Sequence, residues 1–241
     1  MDGRHRQNLV KQAQGLPPIR TAVVHPVDEV SLLGAIKAAE ANLIVPVLVG
    51  PKQKIRSAAI EAKVNLSPYE LVPTEHSHAA AANAVELAVG QKVEALMKGS
   101  LHTDEFMGAI VHEEKLYTER RMSHVFVIDT PGYPRPLFVT DAALNMYPAL
   151  EDKVDIVQNA IDLAHALGLP LVAILSAVET VSPKIKSTLD AAALCKMADR
   201  RQITGGILDG PLAFDNAVSE EAAKTKGIRR SSWQRREHVR A

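Results

Sequence analysis

Cysteine is almost absent from this chain: Cys195 is the only one in 241 residues. A single thiol excludes a disulfide within the chain and fits a reducing cytoplasm. Cys195 falls inside an Ala/Leu-rich helical pattern, where a free Cys commonly serves as a small apolar filler. Aromatic residues are also scarce, at 4%, so Val, Ile, Leu and Ala must build the core. No apolar run approaches the roughly 18 residues of a membrane span. The opening MDGRHRQNLVKQAQG lacks the apolar core of a secretory signal. There is no G-x-G-x-x-G after a strand, no Walker-type phosphate loop and no G-x-S-x-G elbow. No fixed period marks a repeat protein. These absences predict a soluble, cytoplasmic protein with no membrane partner. Its charge is balanced, and its apolar content of 46% is enough to bury a real core.

What is there is alternation. Ala22-Val23-Val24, Leu43–Val49, Leu71-Val72 and Val93–Met97 read as short buried strands. Helices are predicted between and around them: Pro26–Ala41 with Pro26 in the first turn, Lys52–Lys63, and one running to Val89 with Thr74 as N-cap. Such alternation predicts right-handed crossovers and a parallel sheet. Around 125–139 the rhythm changes. Val125–Ile128 and Leu137–Val139 flank Thr130-Pro131-Gly132-Tyr133-Pro134, which predicts an antiparallel excursion. An amphipathic helix is expected over Lys153–Leu167, stopped by Gly168 with Pro170 behind it. Leu171–Leu175 reads as a strand. Ser182-Pro183 reads as an N-cap and first-turn proline for a helix to Met197. Ile203–Leu208 reads as a strand, Asp209-Gly210-Pro211 as a turn, and Asn216–Lys226 as a helix stopped by Gly227.

Three places could carry chemistry. Lys98-Gly99-Ser100, with Thr103 at the start of the next helix, offers a cation, close backbone approach, hydroxyl donors and free N–H groups, as an anion site requires. Alone, the same loop reads more readily as a polar turn. Arg120-Arg121-Met122-Ser123-His124 offers a bidentate anion grip from Arg121, the arginine nearer the strand, with Ser123 as an added donor. His124 reads as a base or as a structural histidine. Glu179 and Asp209 are expected to end adjacent strands, where they could position a base, hydrogen-bond a ligand, or cap helices; Asp215 shares the capping alternative. His76-x-His78 does not put both rings on one helix face. With His102 and His112 it makes no convincing metal set, and no metal is expected.

Several long motifs in order resemble one family. They are LMKGSLHTDEFMGAIV, RRMSHVFVIDTPGYPRPLFVTDAALNMYP, LVAILSAVETVSPKIKSTLDAAALCKMADR, and GGILDGPLAFDNAVS with its Ala/Lys helix and KGI. From about Ile19 to Ile228 the chain resembles the phosphate acetyl/butyryltransferases, or phosphotransacylases, and most the butyryl-type branch, which includes domains fused to enoyl-CoA hydratases. The resemblance implies two α/β domains of the isopropylmalate-dehydrogenase-like type, with parallel or mixed sheets and an interdomain cleft. It divides the chain into a first domain over 1–125, a second over 126–228 and a tail over 229–241.

The activity implied is acyl-CoA + phosphate ⇌ acyl phosphate + CoA, with acetyl or butyryl as the acyl group. Coenzyme A is then a substrate, no cofactor is bound, inorganic phosphate or acyl phosphate is the other partner, and a homodimer is expected. Lys98, Ser100, Thr103, Arg121, Ser123, Glu179, Asp209 and Asp215 are the candidate binding residues. The resemblance also implies that the first domain is completed by a C-terminal segment that carries catalytic Ser, Arg and Asp residues, with no counterpart here; the catalytic residues are therefore unknown. The alternatives are a CoA- and phosphate-binding remnant without turnover, and a metal- and NAD-dependent dehydrogenase of the same fold. Past Ile228 stand five arginines (229, 230, 235, 236, 240), one acid, Glu237, and the only tryptophan, Trp233. That tail reads as a frameshift product or as a basic binding tail. It is all that would support a nucleic-acid partner, and none is expected.

Overall fold

The computed structural model describes residues 4–130, 133, 135–167 and 171–228. Pro131, Gly132, Pro134, the Gly168 and Pro170 helix stop and the whole 229–241 tail lie outside the described residues. The chain divides into two compact units between Thr118 and Glu119. The sequence reading places that boundary at 125.

The first unit runs α1 (Arg4–Gln14), β1 (Ile19–Val24), α2 (Glu29–Glu40), β2 (Ile44–Gly50), α3 (Lys52–Glu61), β3 (Glu70–Pro73), α4 (Ser77–Val89), β4 (Ala95–Lys98) and α5 (Thr103–Val111), with a 3-10 turn at Glu114–Leu116. Its four strands form one sheet in the order β3-β2-β1-β4, and every neighbouring pair is parallel, as the alternation predicts. The central strands read as unbroken apolar runs because both faces of the sheet are covered. Ala22, Val24, Val47 and Val49 pack with Ala80, Ala81 and Ala84 of α4 on one face. Val23 and Leu48 pack with Leu32, Ala35 and Ile36 of α2 and with Ile55, Ala58 and Ala59 of α3 on the other. The period of two along β1 and β2 thus divides one hydrophobic run between two cores.

Two helix starts differ from expectation. α2 begins at Glu29 rather than Pro26, because the Asp28 carboxylate accepts the Ser31 N–H at 2.8 Å and fixes the first turn there. α4 begins at Ser77 rather than just after Thr74, because the His76 ring nitrogen Nδ1 accepts the Ala79 N–H at 3.2 Å.

The second unit holds β5 (Phe126–Ile128), β6 (Leu137–Val139), α6 (Leu150–Ala166), β7 (Leu171–Leu175), α7 (Lys186–Asp199), β8 (Ile207–Leu212), α8 (Phe214–Val218) and α9 (Glu220–Thr225). β5 and β6 pair antiparallel, as the change of rhythm predicts. β7 and β8 form a separate parallel pair. α6 buries Ile156, Val157, Ala160, Ile161 and Ala164 along one stripe, against Leu194, Ile203 and Leu208. Asp190 on α7 is buried, and Lys153 and Lys186 reach it at 2.5 and 2.9 Å.

α7 starts at Lys186, not after Ser182-Pro183; the Thr188 hydroxyl donates to the Ser182 and Ile185 carbonyls and holds that approach as a turn. Asp209-Gly210-Pro211 is not a turn but the middle of β8. Local turn chemistry yields there to strand pairing, since a side chain at Gly210 would meet the Ile174 carbonyl of β7 at 2.7 Å. The helix expected over 216–226 is two short helices parted at Ser219, whose extended backbone and hydroxyl cap start α9 afresh.

Candidate functional site

In the first sheet, β1 has β2 on one side and β4 on the other. Chain order reverses between β1 and β4. In an open α/β sheet, ligands bind at such a switch point, outside the carboxyl ends of the strands. Val24 and Lys98 end their strands side by side in register, so the loops 25–28 and 99–102 leave the sheet together.

These loops are tied tightly. The Gly99 and Ser100 N–H groups donate to the Val24 and His25 carbonyls at 2.9 Å each. A Cβ on Gly99 would stand 2.5 Å from the Val24 oxygen, so only glycine fits. His25 is buried and its Nδ1 lies 2.6 Å from the Ser100 carbonyl oxygen. A carbonyl only accepts, so Nδ1 carries the proton and Nε2 is left as the free ring position. The Ser100 hydroxyl and then the Ser31 N–H bond the Asp28 carboxylate and hold it below the ordinary aspartate range. Beyond them α5 starts without a side-chain cap, leaving N–H groups of its first turn for a ligand. Lys98 is exposed. Lys98, Ser100 and Thr103 therefore share one strand-to-helix loop, as expected. Asp28, whose carboxylate the Ser100 hydroxyl helps to hold low, is a residue the sequence reading passes over. The signal for Asp28 was its place before the apolar run of α2; its nearness to Ser100 depends on β1 lying beside β4.

Arg121 sits in a different setting. Its Nε donates to Asn145 at 2.6 Å, its Nη1 to Asp152 at 3.0 Å, and its backbone N–H to Asp155 at 2.9 Å. Arg120 reaches Asp162 at 2.5 Å, which holds that carboxyl below its usual range. Asn159 donates to the Arg121 carbonyl and the Ser123 hydroxyl, both at 2.9 Å. One face of α6 thus holds the segment that carries Arg121 and Ser123, with the Nε and Nη1 donors of Arg121 engaged. His124 stacks edge-on against Phe126 at 4.2 Å, and its Nδ1 is buried without a partner.

Glu179 and Asp215 come together. Lys226 bridges them at 2.8 and 3.1 Å, and the buried Asn216 amide donates to Glu179 at 2.9 Å. The Lys226 ammonium first, then Asn216, hold the Glu179 carboxyl at about 2. Asp209 does not join them. It lies inside β8 opposite Ala173, so Glu179 and Asp209 do not end adjacent strands as expected. The Cys195 thiol is pushed up to about 11 by burial and faces the Gly210 carbonyl oxygen, the setting of an apolar filler. Among the described residues no group of three or more His, Cys, Asp or Glu side chains gathers as a metal site, and no helix is long and apolar enough to cross a membrane.

The family model described as phosphate acetyl/butaryl transferase matches residues 75–239, a span that runs past Ile228. A phosphate acetyltransferase of Rickettsia felis is 57% identical over 229 residues, covering 93% of this chain and 66% of that protein. One from Rhizobium meliloti is 59% identical, covering 91% of this chain and 71% of that protein. A phosphate butyryltransferase of Clostridium beijerinckii is 42% identical, covering 91% and 74%. The chain thus spans just under two thirds of the length of its Rickettsia felis relative. A branched-chain phosphotransacylase from Enterococcus faecalis V583 superposes with a TM-score of 0.72 at 25% identity, covering 88% of this chain and 75% of that one. A phosphotransacetylase from Streptococcus pyogenes shares the fold with a TM-score of 0.75 at 16% identity, covering 95% and 78%.

Proposed function

The chain belongs to the phosphate acetyl/butyryltransferase family, and from that premise we propose that it is a phosphate acyltransferase, interconverting acyl-CoA plus phosphate with acyl phosphate plus CoA. The observation that carries the reading is the identity of 57–59% to phosphate acetyltransferases. The lower identity of 42% to a butyryltransferase favours acetyl as the acyl group. Coenzyme A is a substrate in this reading and no resident cofactor is invoked. The isopropylmalate-dehydrogenase-like description of the two α/β units, the cytoplasmic setting and a homodimer belong to the same proposal.

In the direction of acyl-CoA formation, the CoA thiolate attacks the acyl phosphate carbonyl and phosphate leaves. The thiol must ionise, the carbonyl oxyanion must be stabilised, and both substrates must be held in line. Lys98 supplies a cation for the phosphoryl oxygens, and the uncapped start of α5 with the Thr103 hydroxyl supplies donors. Asp28 holds the Ser100 hydroxyl, and His25 holds the loop through the Ser100 carbonyl, so the two act as positioning residues. A second reading is binding of CoA and phosphate without turnover, since the chain spans just under two thirds of its Rickettsia felis relative.

The experiment is thioester formation by the purified chain from acetyl phosphate or butyryl phosphate and CoA. Turnover, faster with acetyl phosphate, is the expected result. A folded chain that binds CoA but never turns over would replace the proposal with the second reading. NAD reduction dependent on a divalent metal would point instead to the dehydrogenase alternative.

A further inference from the structure

Five described residues other than glycine hold a left-handed backbone. Four of them, Asn42, Lys63, Gln91 and Arg201, directly follow the C-caps of α2, α3, α4 and α7, where that conformation is a usual way to stop a helix. The fifth, His25 at φ 57°, follows a strand and stops no helix. A side chain is kept in this region only where its surroundings over-determine it, and such residues gather at functional sites. The His25 N–H donates to the Val49 carbonyl at 2.7 Å, and its carbonyl accepts the Val27 and Ser100 N–H groups at 2.9 Å each. Gly50 ends β2 beside it, where a Cβ would stand 3.3 Å from the His25 Cα. The ring is fixed as well, since Nδ1 gives its proton to the Ser100 carbonyl and Nε2 is left with a lone pair. His25 is buried, yet Nε2 is not among the side-chain atoms sealed from solvent without a partner. One unpartnered nitrogen of fixed tautomer therefore reaches the surface at the switch point of the sheet.

We propose that His25 Nε2 is the base that takes the thiol proton of coenzyme A, a role that rests on the phosphate acyltransferase reading and goes beyond holding the loop. In the direction of acyl-CoA formation the S–H bond breaks and its proton passes to Nε2. The sulfur bonds the acyl carbon, the bond from that carbon to the phosphate oxygen breaks, and phosphate leaves with the electron pair. In reverse, the imidazolium returns the proton to the departing thiolate. The charged and titratable groups on the segments packed against the ring are Asp28 on its own loop, Lys52 beyond Gly50, and Lys98 and His102 around Ser100. None of them does the same work. The Lys98 and Lys52 ammonium groups have no lone pair to accept with. The Asp28 carboxylate is held low by Ser100 and Ser31, which makes it a weak base. His102 is exposed and makes no cap hydrogen bond to α5, so no such bond orients it.

The test is His25→Asn. Asparagine tolerates the left-handed backbone, and its amide N–H can replace Nδ1 against the Ser100 carbonyl, but it has no counterpart of Nε2. The expected result is a fall of about a hundredfold or more in kcat for acetyl-CoA formation, with KM for acetyl phosphate and the unfolding midpoint unchanged. The variant must wait for the thiol to ionise in water, so its deficit shrinks about tenfold per pH unit as pH rises toward the ordinary thiol pKa of about 8.5. A kcat equal to the parent's, or a deficit that is the same at every pH, overturns the proposal while the acyltransferase reading stands. The second measurement needs no turnover. In the ¹⁵N-histidine spectrum of the parent chain, the His25 Nε2 resonance should move with CoA and stay with the CoA analogue that has hydrogen in place of the thiol. That shift in a chain without turnover would uphold His25 as the thiol's partner and defeat the acyltransferase reading. Absence of the shift, or the same shift with both ligands, overturns the proposal.

Discussion

The two units handle the same material differently. In the first, four parallel strands are covered on both faces, and the residues that carry the proposed chemistry leave the sheet at its one switch point. In the second, the described strands come in two separate pairs, both of which line an open slot, and ion pairs tie α6, α7 and the end of α9 to their surroundings. A closed sheet positions a loop chiefly by backbone hydrogen bonds, as the Gly99 and Ser100 N–H groups are held by the Val24 and His25 carbonyls. An open one relies on side-chain charges, whose strength depends on pH and salt.

The comparison can be broken most severely at Gly99. Gly99→Val drives a side chain into the Val24 and His25 carbonyls, and a loss of about 3 kcal/mol or more in urea unfolding is expected. A variant as stable as the parent would show that the loop is loose. Core truncation sharpens the contrast. Leu48→Ala, in a core enclosed by two helices, should cost about 3–4 kcal/mol. Leu194→Ala, beside the existing slot, should cost about 2–3 kcal/mol, because part of the new void is open already. Equal losses would erase the distinction.

Acid should separate the units. The Glu179 carboxyl, ordinarily at 4.5, stands at about 2 beside Lys226 and Asn216. A depressed folded value contributes stability in full above pH 4.5, and that contribution is lost as pH falls toward 2. In the same unit, burial works against ionisation of Asp190, but Lys153 and Lys186 outweigh it and hold the carboxyl low. Asp28 is the first unit's low carboxyl. Amide resonances of 119–228 should therefore broaden or vanish at higher pH than those of 4–118, and Glu179→Gln should narrow the gap. Simultaneous loss would contradict the account. The smallest effect is expected at Asp199, whose pair with Lys196 at 2.8 Å is exposed. Asp199→Asn should leave the unfolding midpoint where it is.

Much of the fold was legible because it is local. The apolar runs at 22–24 and 43–49, the α6 stripe and the two β-rich runs around 130 each carry their own period. The readings that failed depend on partners far along the chain. Asp209-Gly210-Pro211 has every local mark of a turn and is strand because β7 lies against it. The Lys98-Gly99-Ser100 loop was found from residue types alone, but Asp28 and His25 enter the site only because β1 and β4 are neighbours. The tie of Arg121 to Asp152, thirty-one positions away, likewise cannot be seen from its own motif. Glu179 and Asp215 meet through Lys226, a contact that no spacing rule predicts.

The most direct measurement is kcat/KM for acetyl phosphate, compared between Lys98→Ala and Arg121→Lys. If the site lies on the loop after β4, Lys98→Ala lowers it about a hundredfold through the lost charge-assisted contact without moving the unfolding midpoint. Arg121→Lys then lowers the midpoint and leaves KM for acetyl phosphate near the parent value. The reverse outcome, an unchanged Lys98→Ala and a sharply raised KM in Arg121→Lys, would move the phosphate site to the second unit and contradict the account.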